Sequence, residues 1–116
     1  MSEFTIYHNP RCSKSRTTLA LLQENGIEPE IVLYLEIMPD EKELSGLLKK
    51  LGMSADQLVR RGEEAYKSCH LGADSTDGEI LAAMATHPKL IERPIVVRGE
   101  RAVLGRPPEN VLELID

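Results

Sequence analysis

The run HNPRCSKSR at positions 8–16 concentrates the reactive chemistry of this chain of 116 residues. Cys12 follows a strand-like stretch and precedes a helical one. It therefore sits where a helix presents unpaired N–H groups and the positive end of its dipole, both of which favour a thiolate. Arg11, Lys14 and Arg16 add positive charge beside it in the sequence. A thiol with a pKa of ~8.5 is only about 3% ionised at pH 7, and lowering that value by two units makes roughly three-quarters of it thiolate. The shift needs about 2.7 kcal/mol, within reach of helix N–H groups and one close cation. His8, four residues earlier, can orient the loop or stabilise the thiolate as imidazolium. Ser15 stands where a dithiol enzyme would carry its second cysteine. The pattern is CSKS and not CxxC, so no disulfide closes here; the Ser15 hydroxyl either donates to the thiolate or serves as an ordinary helix-start residue.

Other chemistries fail on spacing. A cysteine-based phosphatase loop needs an arginine six residues after the cysteine, where this chain has Thr18. GxxxxGK[ST], GxGxxG and HExxH are all missing. His8, Cys12, Cys69 and His70 are too poorly spaced for a zinc shell, since Cys69 and His70 are adjacent and neither cysteine has a CxxC partner. No metal and no bound cofactor are expected. Cys69 reads as a small buried or inert side chain in preference to a resolving thiol.

The elements that must position Cys12 follow from local pattern. EFTIYH at 3–8 is a β-rich alternating strand, NPRC breaks it, and SRTTLALLQEN runs as a helix ending at Gly26. EIVLYL after Pro29 is a second short strand, and strand–helix–strand implies a parallel pair with a right-handed crossover. Asp40 caps a helix with Leu44, Leu47, Leu48 and Leu51 on one face, stopped by Gly52. SADQLVRR and DGEILAAMATH are two more helices, the latter capped by Thr76 or Asp77. IVV and AVL flank Gly99-Glu100 as a hairpin, and PPENVLELI closes the chain as a helix with Val111, Leu112 and Ile115 on one face. The order predicts an α/β fold of thioredoxin-like type, a mixed sheet with helices on both faces and a helical insertion between the second and third strands, as one domain over 1–116.

Composition bounds the partners. With 41% hydrophobic and 28% charged residues the chain reads as an ordinary globular domain and not a disordered one. One Phe, three Tyr and no Trp force an aliphatic core and leave no stacking platform for single-stranded nucleic acid. The net charge of −5 has the wrong sign for general attraction to nucleic acid or anionic lipid, so an anion site must be a local cluster. Two cysteines, no signal-peptide pattern in MSEFTIYHNP and no apolar run near ~18 residues point to a reducing cytoplasm, away from any membrane.

HNPRCSKSR, LYLE, the Arg60-Arg61 pair after LGMSADQLV, HPKLIERPIVV and GRPPENVLELI occur in this order along nearly the whole chain. Together they resemble the glutaredoxin-coupled arsenate reductase family. The resemblance implies a thioredoxin-like fold in which Cys12 is the one obligatory cysteine, and Arg60, Arg93 and Arg106 hold the oxyanion. Arg61, next to Arg60, is read as a solvated surface charge, as are Arg98 and Arg101. It also implies a cis bond before Pro94, facing the active cysteine. Planar guanidinium forks suit a tetrahedral oxyanion despite the net charge. The implied activity is reduction of arsenate to arsenite, with glutathione as thiol co-substrate and glutaredoxin as partner, by a monomer. The chain departs from well-known members in carrying Ser13, Lys14 and Ser15 where those have Gly-Thr-Ser, and in carrying Cys69. Two other readings stay open: a general thiol oxidoreductase on glutathionylated substrates, and an Spx-like regulator that binds RNA polymerase.

Overall fold

The structure is a computed structural model that describes residues 3–115. Four strands, β1 (Phe4–Tyr7), β2 (Glu30–Val32), β3 (Ile95–Arg98) and β4 (Arg101–Leu104), form one sheet in the order β2-β1-β3-β4. β1 runs parallel to β2, and β3 pairs antiparallel with both β1 and β4. The result is the expected thioredoxin-like mixed sheet flanked by helices. Two compact units make up the chain, Met1–Ile37 with Arg93–Asp116, and Met38–Glu92. The second is the insertion expected between the second and third strands.

The first unit holds the sheet and helix α1 (Ser13–Glu24). Alternation sends Phe4, Ile6 and Val96 to one face, where they bury together with Leu22 of α1 and with Val111 and Leu114. Those last two belong to Pro108–Leu114, which is a 3₁₀ helix and not the expected α-helix. With about three residues per turn, positions i and i+3 share a face. Val111 and Leu114 are therefore the buried pair, while Leu112, expected among the inward residues, is 45% exposed. β2 also stops at Val32, three residues early. Leu33 O accepts from both Glu36 N and Ile37 N, which turns the chain and removes Tyr34 and Leu35 from the ladder.

The second unit is helical. α2 (Glu41–Leu51) starts where Asp40 Oδ1 accepts from Glu43 N at 2.8 Å and ends at Gly52 in the left-handed region. It buries Leu44, Leu47 and Leu48. α3 (Ala55–Leu58) opens on a Ser54–Gln57 capping box and is shorter than SADQLVRR suggested. Val59 bridges Ile91 instead, with Arg60 N donating to Leu90 O and Glu92 N donating to Leu58 O. Three helices were expected here, but α4 (Glu64–Ser68) intervenes before α5 (Asp77–Thr86). α4 buries no residue, which explains why it carries no apolar period. α5 is capped by Thr76, whose Oγ1 accepts from Glu79 N. Pro88–Leu90 adds a 3₁₀ turn. No helix among the described residues is long and apolar enough to cross a membrane.

Candidate active site

Cys12 is the N-cap of α1, with extended backbone (φ −93°, ψ 122°) and a half-buried side chain. Its N–H donates to Asn9 O at 3.0 Å, closing the turn that follows β1. Burial pushes the thiol pKa up. The Ser15 amide, the charge of Arg93, a hydrogen bond from the Arg93 guanidinium and the Lys14 amide outweigh this, and the pKa is lowered from its ordinary value. The sulfur closes no capping hydrogen bond of ordinary geometry. The two amides favour the thiolate as nearby oriented dipoles.

The cation at the sulfur is thus Arg93, from the far end of the chain, and not one of the flanking cations. Arg16 is turned away: its Nη1 donates to Pro10 O at 2.8 Å. Lys14 helps through its backbone.

Hairpin register explains how Arg93 is placed. The two-residue turn Gly99-Glu100, with Gly99 at φ +61°, pairs Arg98 with Arg101 and Ile95 with Leu104. Carrying that register past the last pair sets Gly105 across from Pro94 and Arg106 across from Arg93. The observed contacts follow it: Gly105 N donates to Pro94 O at 2.9 Å and Arg106 Nη1 donates to Arg93 O at 3.2 Å. Gly105 has no room for a side chain, because a Cβ there would lie 2.6 Å from Thr18 Oγ1 and 2.8 Å from Pro94 Cγ. α1 and the arginine-bearing hairpin therefore approach backbone to side chain just beyond Cys12. The Arg93–Pro94 peptide is cis, as is Arg106–Pro107. Arg93 Nε is buried and has no hydrogen-bond partner among the described residues. This juxtaposition of the two arginines was available in the sequence once the two-residue turn fixed the pairing.

His8 and Ser15 face each other. His8 is 6% exposed and Ser15 is fully buried, with His8 Nδ1 and Ser15 Oγ 2.6 Å apart. Asn9 N also donates to Ser15 Oγ, at 3.0 Å. Burial first, and the charge of Arg16 second, hold the His8 pKa below its ordinary value, so the ring is kept neutral. Ser15 Oγ holds residues 8 and 9 to the start of α1, and it is the Ser15 amide, not its hydroxyl, that favours the Cys12 thiolate.

Arg60 lies in the second unit, two residues beyond α3, held by Glu63 at 3.5 Å and Glu92 at 3.4 Å. Its neighbour Arg61 is exposed and paired with Asp56 at 2.6 Å. Arg98 and Arg101, expected as solvated charges, are used structurally. Arg98 binds Glu3 and Leu114 O and stacks over Phe4, and Arg101 donates to Glu113 O. Cys69 is half-buried, with its sulfur 3.6 Å from His87 Nδ1. Among the described residues no group of three or more His, Cys, Asp or Glu side chains could hold a metal ion.

Comparison with known proteins supplies the context. Residues 7–114 match the model of the ArsC family. The chain is 57% identical over 112 residues to an uncharacterized protein, YfgD, of Escherichia coli K12, covering 95% of this chain and 94% of that one. It is 50% identical over 112 residues to an arsenate reductase of Haemophilus influenzae, covering 95% and 97%. Among solved structures it is similar to an arsenate reductase from Vibrio cholerae, with a TM-score of 0.93, 51% identity and 97% of each chain covered.

Proposed function

This chain belongs to the ArsC family, and on that premise we propose that it reduces arsenate to arsenite through Cys12, with glutathione and glutaredoxin as the source of electrons. The observation that carries this reading is the pairing of a lowered Cys12 thiol with Arg93, whose buried Nε lacks an acceptor. A buried donor without a partner costs about 1–3 kcal/mol, and an oxyanion oxygen at Arg93 would remove that cost.

In the proposed reaction the Cys12 thiolate forms a bond to arsenic, and one arsenate oxygen takes up protons and leaves as water. Arg93 and Arg106 hold the remaining oxygens. Arg60 enters the reading on the family resemblance alone. The sulfur of glutathione then bonds to the Cys12 sulfur while the sulfur–arsenic bond breaks. Its electron pair stays on arsenic, giving As(III), and the two thiols have become a mixed disulfide. Glutaredoxin with a second glutathione returns Cys12 to the thiol by exchange. With Ser15 in the second position of the loop, this external thiol is the resolving group. Exchange on glutathionylated proteins would use the same thiolate but leaves the Arg93 donor without a ligand.

The test is turnover. Purified protein with glutathione, glutaredoxin and arsenate should produce arsenite, Cys12→Ser should produce none, and Cys69→Ser should retain activity. No arsenite from the intact protein under these conditions would overturn the reading.

A further inference from the structure

The first unit carries a cleft of about 350 Å³ on the loop that leads into Cys12. One wall is residues 8–11; the other is Leu33, Leu35 and Glu36 from the turn after β2. The turn is fixed, since His8 N donates to Val32 O at 2.9 Å and Leu33 O accepts two amides. The volume lies at the low end of the ~300–1,000 Å³ that hold small organic ligands. It is larger than a single oxyanion needs, and the leucines and Pro10 give it an apolar floor that a bare oxyanion would not use.

Three polar groups mark the rim. Arg11 and Glu36 carry opposite charges, and neither side chain makes an ion pair or hydrogen bond among the described residues. His8 is the third. The Ser15 hydroxyl accepts from Asn9 N and lies 2.6 Å from His8 Nδ1, which fixes the ring at the cleft wall. The imidazole is thus a buried polar group lining the cleft beside Arg11.

We propose that this cleft is the subsite for the thiol co-substrate, binding a small zwitterionic peptide thiol of the glutathione class with a carboxylate at Arg11, its ammonium at Glu36, and its sulfur directed to Cys12. An uncharged thiol has nothing to engage at the rim, so the cleft selects peptide thiols over simple ones. The proposal rests on the reading that Cys12 exchanges with an external thiol, and not on the identity of the oxyanion.

Thiol–disulfide exchange tests it without arsenate. The Cys12 thiolate attacks one sulfur of oxidised glutathione, the S–S bond breaks, and one glutathione thiolate leaves. The rate of this step at Cys12, followed by peptide mass spectrometry, is divided by the rate with hydroxyethyl disulfide, an uncharged probe. The ratio corrects for any change in Cys12 itself. In Glu36→Lys and in Arg11→Glu it should fall about two- to fivefold, as expected for loss of an exposed charge contact. An unchanged ratio in both variants overturns the proposal, including the case in which both rates fall together. Failure to reduce arsenate would leave this outcome unaffected, and an unchanged ratio would leave arsenate turnover unaffected, so the two readings fail separately.

Discussion

The two cysteines occupy opposite ends of their helices. Cys12 in the first unit is the N-cap of the 12-residue α1, and Cys69 in the second unit is the C-cap of the five-residue α4. A helix start turns N–H groups toward a side chain, whereas a helix end turns carbonyl oxygens toward it. Around Cys12 the amides of Ser15 and Lys14 combine with a guanidinium delivered by the hairpin register. Around Cys69 the chain offers its own N–H bonded to Ala65 O, and one imidazole whose Nδ1 is also 3.0 Å from Thr86 Oγ1. One residue type thus meets two chemistries, decided by which end of a helix it caps and by what the tertiary fold brings to that end.

The largest test of that contrast is Arg93→Ala. Removing one preorganised donor to the reacting group should lower arsenate turnover by about 10²–10³-fold. The sign on the thiol is fixed. Arg93 favours the charged form of Cys12, so its loss should move the pH midpoint of Cys12 alkylation upward. Alkylation of Cys69, followed in the same digest, should keep its own profile. A Cys12 midpoint that stays in place would mean that α1 alone prepares the thiol.

Local features were the legible part of this molecule. Asp40, the leucine spacing and Gly52 define α2 without reference to the rest of the chain, and Cys12 is recognisable as a helix-start thiol from its flanks alone. Features set at a distance were not. The flanking cations pointed to Arg11, Lys14 and Arg16, but Arg16 spends its guanidinium on Pro10 O and the contact falls to Arg93. Arg93 and Arg106 were reachable only through resemblance until the hairpin register explained them. The second strand looked long because Leu33, Tyr34 and Leu35 are apolar, yet a turn consumes them. PPENVLELI carried an apolar pattern compatible with period 3.6, and packing against the sheet selected a period near three. α4 buries nothing, so no apolar pattern could announce it.

Packing differs between positions of the two units, and one substitution made in both measures it. Gly105→Ala in the first unit drives a Cβ to 2.6 Å from Thr18 Oγ1 and 3.0 Å from Thr18 Cγ2. Thr18 is fully buried, with its hydroxyl already donating to Lys14 O at 2.7 Å, so it has little freedom to retreat. Pro94, 2.8 Å away, is a buried ring. Overpacking of this kind should destabilise the protein by about 1–3 kcal/mol in urea unfolding. It should also weaken oxyanion protection of Cys12 by separating α1 from Arg93 and Arg106. A neutral result would show that the close approach at Gly105 does not align the site.

The smallest effect has the opposite sign. Gly46 lies inside α2, and a Cβ built there meets nothing within 4 Å. Its backbone is helical, so alanine enters without strain and chiefly reduces the conformational freedom of the unfolded chain. Gly46→Ala should therefore stabilise the protein by about 0.4–1 kcal/mol, read as a higher urea midpoint at unchanged slope. Arsenate turnover and the pH profile of Cys12 should stay as they are, because neither the thiol's amides nor its guanidinium belongs to α2. If Gly46→Ala instead slowed Cys12 chemistry, α2 would be setting the reactivity of the thiol, and the amides and guanidinium of the first unit would not be enough to account for it.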